Sequence, residues 1–159
     1  MIIKEDKLQN VFSLFVEIES HKNFNKLENE FEEFQSLITS ADLVIVDKLL
    51  HKQKSPVINT FISKGKLEEI KNIIKDQDID LLIINHQLSA SQNRNLEIFF
   101  NVRVIDKTEL ILDIFASRAS SYIGKLQVEL AQLKHLSTRL IRGWTCLLYT
   151  SDAADDMQC

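Results

Sequence analysis

The chain has 159 residues, 19 of them basic and 23 acidic, which gives a formal net charge of −4. It is 45% hydrophobic but holds only three glycines, one proline and two cysteines. A chain of this length buries enough surface to fold as one domain without metal or disulfide staples. Its longest apolar runs are about four residues and its N-terminus lacks a secretory signal, so we expect a cytoplasmic protein without a membrane-spanning segment.

The scarcity of glycine and cysteine excludes several kinds of site. Gly65, Gly124 and Gly143 lie far apart in the sequence, whereas a loop that cradles phosphate groups needs several glycines close together. Cys146 and Cys159 both fall near the C-terminus, and the four histidines are scattered without a repeated ligand spacing. The sequence therefore predicts no P-loop, no metal site and no catalytic residue in this chain.

Strand and helix patterns alternate along the first two-thirds of the chain. Apolar strand patterns occupy 11–18, 43–46, 81–84 and 102–105, and helical spacing of apolar residues occupies 24–38, 67–74 and the stretch after the capping-box pair Ser89 and Gln92. The charged segment 48–56, which ends at the proline, is predicted to be a loop. Alternating strands and helices predict an α/β fold with a small, mostly parallel sheet of about four strands flanked by helices.

The segment after the fourth strand differs from the rest. Apolar or small residues recur every three or four positions from Ile111 to Leu140, which predicts one long helix of about 50 Å whose far end projects from the domain. Its leucine stripe needs a partner helix, and none follows in the sequence. We therefore divide the chain into an α/β subdomain at 1–106, a helical arm at 107–145 and a tail at 146–159.

Four segments, in collinear order, carry a resemblance to a known family. They are Phe61-Ile62-Ser63-Lys64-Gly65-Lys66-Leu67-Glu68-Glu69-Ile70, residues 88–97, residues 104–116 and residues 124–133. Together they resemble the N-terminal domain of HflX-type GTPases. The resemblance implies a ribosome-associated protein that acts on the large subunit and splits stalled ribosomes. It also implies GTP and Mg²⁺ as cofactors of the longer parent protein, with ATP as a ligand of the N-terminal domain.

The resemblance further implies that the chain stops inside a helical hairpin. In the family a block like Arg142-Gly143-Trp144-Thr145 leads into a glycine-rich loop, a second helix and then the GTPase domain. Residues 146–159 resemble translated sequencing-adapter sequence instead, so we expect a longer natural protein and a non-native or disordered tail. GTPase activity is then expected of the parent protein and not of this chain alone.

Lys64, Gly65 and Lys66 are the candidate nucleotide-binding residues. Glycine lets a phosphate approach the backbone, and the two lysines supply positive charge. The alternative is a strand-to-helix turn with two solvated lysines. His86 follows the third strand, where ligands bind in open α/β sheets, but a lone loop histidine is more often structural. The family usually carries acidic residues near Asn85 and His86, and their absence weakens a nucleotide pocket there.

The helical arm carries the candidate RNA-binding residues. Segment 117–142 holds five basic residues against one acidic residue, and such donors bind phosphate and ribose. The candidates are Arg118, Lys125, Gln127, Arg139, Arg142 and Trp144. Two hypotheses remain open: a module that binds ribosomal RNA, with no DNA partner, and an autonomous interaction domain that forms a homodimer through its leucine stripe.

Overall fold

The computed structural model describes residues 8–19, 23–118 and 122–141. Within them the chain forms four strands and five helices. In chain order these are β1 (Asn10–Ile18), α1 (Phe24–Thr39), β2 (Val44–Gln53), α2 (Lys64–Asp76), β3 (Leu81–Ile84), α3 (Ala90–Phe100), β4 (Arg103–Asp106), α4 (Lys107–Arg118) and α5 (Tyr122–Ile141). No helix in these described ranges has the length and apolar character needed to cross a membrane.

The four strands form one sheet in the order β2-β1-β3-β4, and every neighbouring pair is parallel. This confirms the α/β fold predicted from the alternating patterns. The chain builds outward from β1 to β2, and then crosses to the other side of β1 to place β3 and β4. The direction of winding therefore changes between β1 and β3, and ligands of open α/β sheets bind beside such a point.

Helices cover both faces of the sheet, which explains why β3 is apolar along its whole length and why β1 is largely apolar. On one face Phe12 and Leu14 pack in a core cluster with Ile70 of α2 and Leu96 of α3. On the other face Val11 and Phe15 of β1 pack with residues of α1 and α4 in a second cluster. Successive residues of a strand point to opposite faces, so one apolar strand supplies both cores.

The edge strand β2 is longer than predicted. Its ladder with β1 continues to Gln53, so the prediction of a loop over 48–56 is wrong for its first six residues. Because β2 lies at the edge of the sheet, several of its residues are exposed, Lys48 and Lys52 among them. Charged side chains at such positions make the sequence resemble that of a loop, although the backbone of 48–53 is paired with β1.

The C-terminal helical region has a different shape from the single projecting helix that we predicted. α4 ends at Arg118 and α5 begins at Tyr122, while residues 119–121 lie outside the described part of the chain. α5 then runs back alongside α4, since Arg139 near its end pairs with Asp106 and Glu109 at the start of α4. The ion pairs provide a physical reason for this return, which the apolar spacing alone could not reveal.

Candidate functional site

Two side chains close the carboxyl edge of the sheet between β1 and β3. The Asn85 Oδ1 atom accepts a hydrogen bond from the backbone N–H of Val16 at 2.7 Å, and its Nδ2 donates to the Val16 carbonyl at 3.2 Å. His86 Nε2 donates to the same carbonyl at 2.6 Å, and its ring stacks on Phe61 at 4.9 Å between centroids. His86 thus has the structural contacts that we weighed against a ligand-binding role.

The candidate nucleotide-binding residues occupy the first turn of α2. Ser63 precedes this turn, and its backbone N–H donates to Gln53 Oε1 at 3.0 Å, while its side chain makes no capping bond. Gly65 has no positive φ, and a Cβ built on it would meet no atom within 4 Å. Lys66 Nζ lies 2.7 Å from Glu69 Oε2. The first turn of α2 therefore has free space beside Gly65, and Lys66 is paired with Glu69 within the helix.

His51 adds a titratable group beside this turn. Its Nε2 lies 3.2 Å from Gln53 Oε1 and 3.3 Å from the Ser63 hydroxyl. Burial lowers the pKa of His51 below its usual value, and the charge of Lys66 lowers it further. A neutral imidazole therefore stands behind the first turn of α2 and adds no positive charge for a phosphate at neutral pH.

The candidate RNA-binding residues are placed in different surroundings. Lys125 and Gln127 are exposed on α5, where a polymer surface can reach them. Arg118 donates from Nη2 to the Ser40 carbonyl at 3.1 Å at the end of α4. Arg139 is engaged in the ion pairs with β4 and α4, so its guanidinium faces the protein. Arg142 and Trp144 lie outside the described residues, and their roles stay predictions.

Arg139 belongs to a cluster that the sequence analysis did not anticipate. Asp106, at the end of β4, accepts from the backbone N–H groups of Glu109 at 3.0 Å and Leu88 at 3.1 Å. The Arg139 guanidinium pairs through Nη2 with Asp106 and through Nη1 with Glu109. His135 Nε2 lies 3.9 Å from Glu109 Oε1. One cation of α5 is therefore shared between two carboxylates at the carboxyl edge of the sheet.

Burial shifts the pKa values of two groups in this cluster, Glu109 and His135. It raises the pKa of Glu109 above its usual value of 4.5, against the opposing effect of the Arg139 charge. It also lowers the pKa of His135 below 6.5, and the positive charge of Arg139 acts in the same direction. His135 is thus held neutral at physiological pH, and Arg139 is the cation that balances the two acids.

The same cluster has the composition of a metal site. Ligand atoms of Asp106, Glu109 and His135 all lie within 4.8 Å of one another. The Arg139 guanidinium sits on both carboxylates, however, and a divalent ion there would face its repulsion. The sequence contains a weak signal for this cluster: Asp106 directly precedes α4 and Glu109 lies in its first turn, while His135 and Arg139 are four residues apart on one face of α5.

Two cavities flank the cluster. One of about 320 Å³ lies between α4 and α5 and is lined by Leu112, Leu133 and Leu136 together with Glu109 and Gln132. The other, of about 440 Å³, lies between the end of α5 and the edge formed by α3 and β4. The end of α5 therefore meets the α/β body at the ion pairs, with open space on both sides.

Comparison with known proteins identifies the family. A family model described as GTP-binding GTPase N-terminal matches residues 28–116, more than half of the chain. The chain belongs to the HflX family of GTPase N-terminal domains. The GTPase HflX of Escherichia coli strain K12 is 48% identical over 118 residues, which are 74% of this chain and 28% of that protein. The GTPase HflX of Alkalihalophilus pseudofirmus is 41% identical over 138 residues, 87% of this chain and 32% of that protein.

A solved structure shares the fold of this HflX-type domain. The crystal structure of a GTP-binding protein from Sulfolobus solfataricus in complex with GDP has a TM-score of 0.65 and 31% sequence identity, and the match covers 88% of this chain and 41% of that one. The chain spans about a third or less of the length of the two HflX relatives. The likeness to those relatives is therefore a likeness to part of each protein.

Proposed function

We propose that this chain is the ribosome-binding module of an HflX-type GTPase, and that α5 contacts the RNA of the large subunit. The observation that carries the proposal is the exposed surface of α5, where Lys125 and Gln127 offer hydrogen-bond donors to phosphate and ribose. Membership in the HflX family supports it. The parent protein would bind stalled ribosomes in the cytoplasm and separate their subunits, with no DNA partner.

Pelleting with purified large subunits tests the RNA contact. Lys125→Glu reverses one charge on the exposed surface of α5, and we expect it to reduce the pelleted fraction severalfold and to flatten its salt dependence. Lys75→Glu is the matched control, because Lys75 is also exposed but lies at the end of α2. Equal pelleting of the two variants and the unmodified chain would rule out this surface.

Arg118, Arg139, Arg142 and Trp144 belong to the same proposal but require separate tests. Arg118 and Arg139 already make intramolecular contacts, so reversal of their charge changes folding as well as RNA binding. Their variants are informative only beside a measurement of helix content. Trp144→Ala tests base stacking, and an unchanged affinity for large subunits would exclude it.

For nucleotides, we propose that ATP binds at Lys64, Gly65 and Lys66 and that GTP with Mg²⁺ binds in the remainder of the parent protein. The open first turn of α2 and the two lysines support the ATP site. The sequence of this chain carries no P-loop, so we expect no GTP hydrolysis by it. Isothermal titration of this chain with ATP and with GTP tests where each nucleotide binds. The titrations are repeated on Lys64→Ala/Lys66→Ala, and undiminished ATP binding by this variant would rule out the ATP site.

A second candidate function rests on the apolar residues of α5. Leu126, Leu130, Leu133 and Leu140 are exposed along this helix, and a leucine stripe that faces solvent favours association with another helix. In this alternative the chain is an interaction domain that forms a homodimer without nucleotide chemistry. Sedimentation at several concentrations tests it. A strict monomer at high micromolar concentration would contradict a stable dimer, and Leu130→Glu should dissociate one.

A further inference from the structure

α5 lies on the α/β body with little apolar burial. Of the described side chains of this helix, none is buried, and neither core cluster includes one. Six of its apolar residues are exposed instead: Ile123, Leu126, Leu130, Leu133, Leu136 and Leu140. Most helices are held in place by burial of an apolar stripe. The position of α5 must therefore depend on other interactions.

The ion pairs of Arg139 join the end of α5 to the α/β body. Its side chain is 12% exposed, and those of Asp106 and Glu109 are 0% and 11% exposed. Charges this well shielded from water interact more strongly than surface pairs and are screened little by salt. The guanidinium is planar and its Nη1 and Nη2 atoms pair with different carboxylates, so the two pairs together fix the orientation of the Arg139 side chain.

The surroundings of these pairs leave α5 room to move. The cavities on either side of the cluster separate the end of α5 from α3 and from part of α4. Asp106 also accepts hydrogen bonds from the backbone N–H groups of Leu88 and Glu109, and neither bond involves Arg139. The edge of the sheet is thus anchored independently of α5.

We propose that Arg139 is a latch that holds α5 folded back on α4, and that its release frees α5 while the α/β body stays folded. The latch consists of Arg139 with Asp106 and Glu109. In the latched state the end of α5 covers the carboxyl edge of β4. In the released state α5 carries its exposed leucine residues away from the body, and Asp106 remains the cap of α4.

The test compares Arg139→Gln with Lys134→Gln in the complete 159-residue chain. Both substitutions remove one positive charge from α5, but Lys134 is an exposed residue outside the latch. Amide hydrogen exchange reports on α5 and on β1 and β3 separately. Spin labels at Glu68→Cys on α2 and Ala131→Cys on α5, with both native cysteines replaced by serine, report the distance between the helix and the body.

For Arg139→Gln we expect amide exchange in α5 to rise on the order of a hundredfold, because a buried charge pair is broken, and we expect the distance distribution to broaden. Exchange in β1 and β3 should stay unchanged, and Lys134→Gln should match the unmodified chain. Unchanged exchange and distance in Arg139→Gln would overturn the latch. Loss of protection in β1 and β3 together with α5 would also overturn it, since Arg139 would then hold the whole fold.

A second variant covers the case in which Arg139→Gln gives no folded chain. Glu109→Gln leaves Asp106 as the single charged partner of Arg139, and we expect α5 to exchange faster by a smaller factor than in Arg139→Gln. The backbone N–H of Glu109 still bonds Asp106 in this variant. Exchange in α5 identical to that of the unmodified chain would overturn the proposal.

Discussion

Asn85 completes the pairing of β1 where β3 has already ended: its side-chain amide bonds both the N–H and the carbonyl of Val16. β3 stops at Ile84, and its ladder with β1 reaches only Leu14. A side-chain amide has the same donor and acceptor as a peptide group. Asn85 therefore continues the hydrogen bonding between the two central strands by one further step.

Removal of this amide should lower stability. Asn85→Ala leaves the N–H of Val16 without its described partner, and we expect the free energy of unfolding to fall by about 1–3 kcal/mol. Urea unfolding followed by circular dichroism measures the change. Asn95→Ala is the control, since Asn95 makes a single exposed bond to the Asn59 carbonyl. A loss no larger at Asn85 than at Asn95 would contradict the proposed strand-like role.

The capping box of α3 gives a second prediction. The Ser89 hydroxyl accepts from the Gln92 N–H at 3.1 Å, and Gln92 Oε1 accepts from the Ser89 N–H at 3.0 Å. Ser89→Ala should cost about 1 kcal/mol of unfolding free energy. Gln92→Ala should cost more, because Gln92 Nε2 also donates to the Val57 and Ile58 carbonyls. Thermal denaturation ranks the two variants, and the reverse order would refute this account of the loop.

Gly65 and Asn101 should respond in opposite ways to alanine. Gly65 has no positive φ and has open space where a Cβ would stand, so Gly65→Ala should stabilise the chain by about 0.4–1 kcal/mol. Asn101 ends α3 with φ at 54°, and Asn101→Ala should destabilise it by roughly 1 kcal/mol. Chemical denaturation measures both. Destabilisation by Gly65→Ala would mean that the first turn of α2 needs a conformation only glycine allows.

Glu109 and His135 predict opposite dependences of stability on pH. The raised pKa of Glu109 means that the folded chain binds its proton more tightly than the unfolded chain. This contribution to stability is present at low pH and is lost as the pH rises from 4.5 through the raised pKa. The lowered pKa of His135 has the reverse effect: its contribution is present above 6.5 and is lost as the pH falls through the lowered pKa.

Unfolding across a pH series from about 4 to 8 separates the two groups. Relative to the unmodified chain, Glu109→Gln should gain stability as the pH rises, and His135→Gln should gain it as the pH falls below 6.5. Lys75→Gln, distant in sequence from the cluster, should follow the unmodified profile. Parallel profiles of unfolding free energy against pH for all four chains would contradict the pKa shifts of Glu109 and His135.

Several charged side chains act on Glu109 or line the cavity beside it. They are Glu97, Arg103, Asp106, Glu129 and Arg139.

The sequence was sufficient for the order of elements up to β4 and for local signals. Apolar periodicity located all four strands, and the spacing of Ser89 and Gln92 predicted the capping box that the structure contains. These features depend on residues close together in the chain. The extent of β2 was missed because an edge strand is polar where it meets water, and its pairing with β1 depends on residues about 35 positions earlier in the chain.

The cluster around Arg139 could not be predicted from the sequence, for a related reason. Arg139 and Asp106 are 33 positions apart, and their meeting requires α5 to turn back on α4. Apolar spacing continues through 119–121 without interruption, so periodicity predicted one straight helix. A basic residue at helical spacing was accordingly assigned to RNA, whereas the structure pairs it with carboxylates inside the chain.

The parallel sheet also determines how long β1 waits for its partner strand β3 during synthesis of the chain. Val11 pairs with Leu81, 70 positions later, so β1 leaves the ribosome long before β3 exists. At roughly 5–20 residues per second, that interval lasts on the order of 4–14 s. Throughout it β1, whose residues lie almost entirely in the core of the finished sheet, has at most one neighbouring strand in place. Until β3 is translated, β1 cannot form the ladder that joins the two halves of the sheet, and slower translation between the two strands would lengthen this interval.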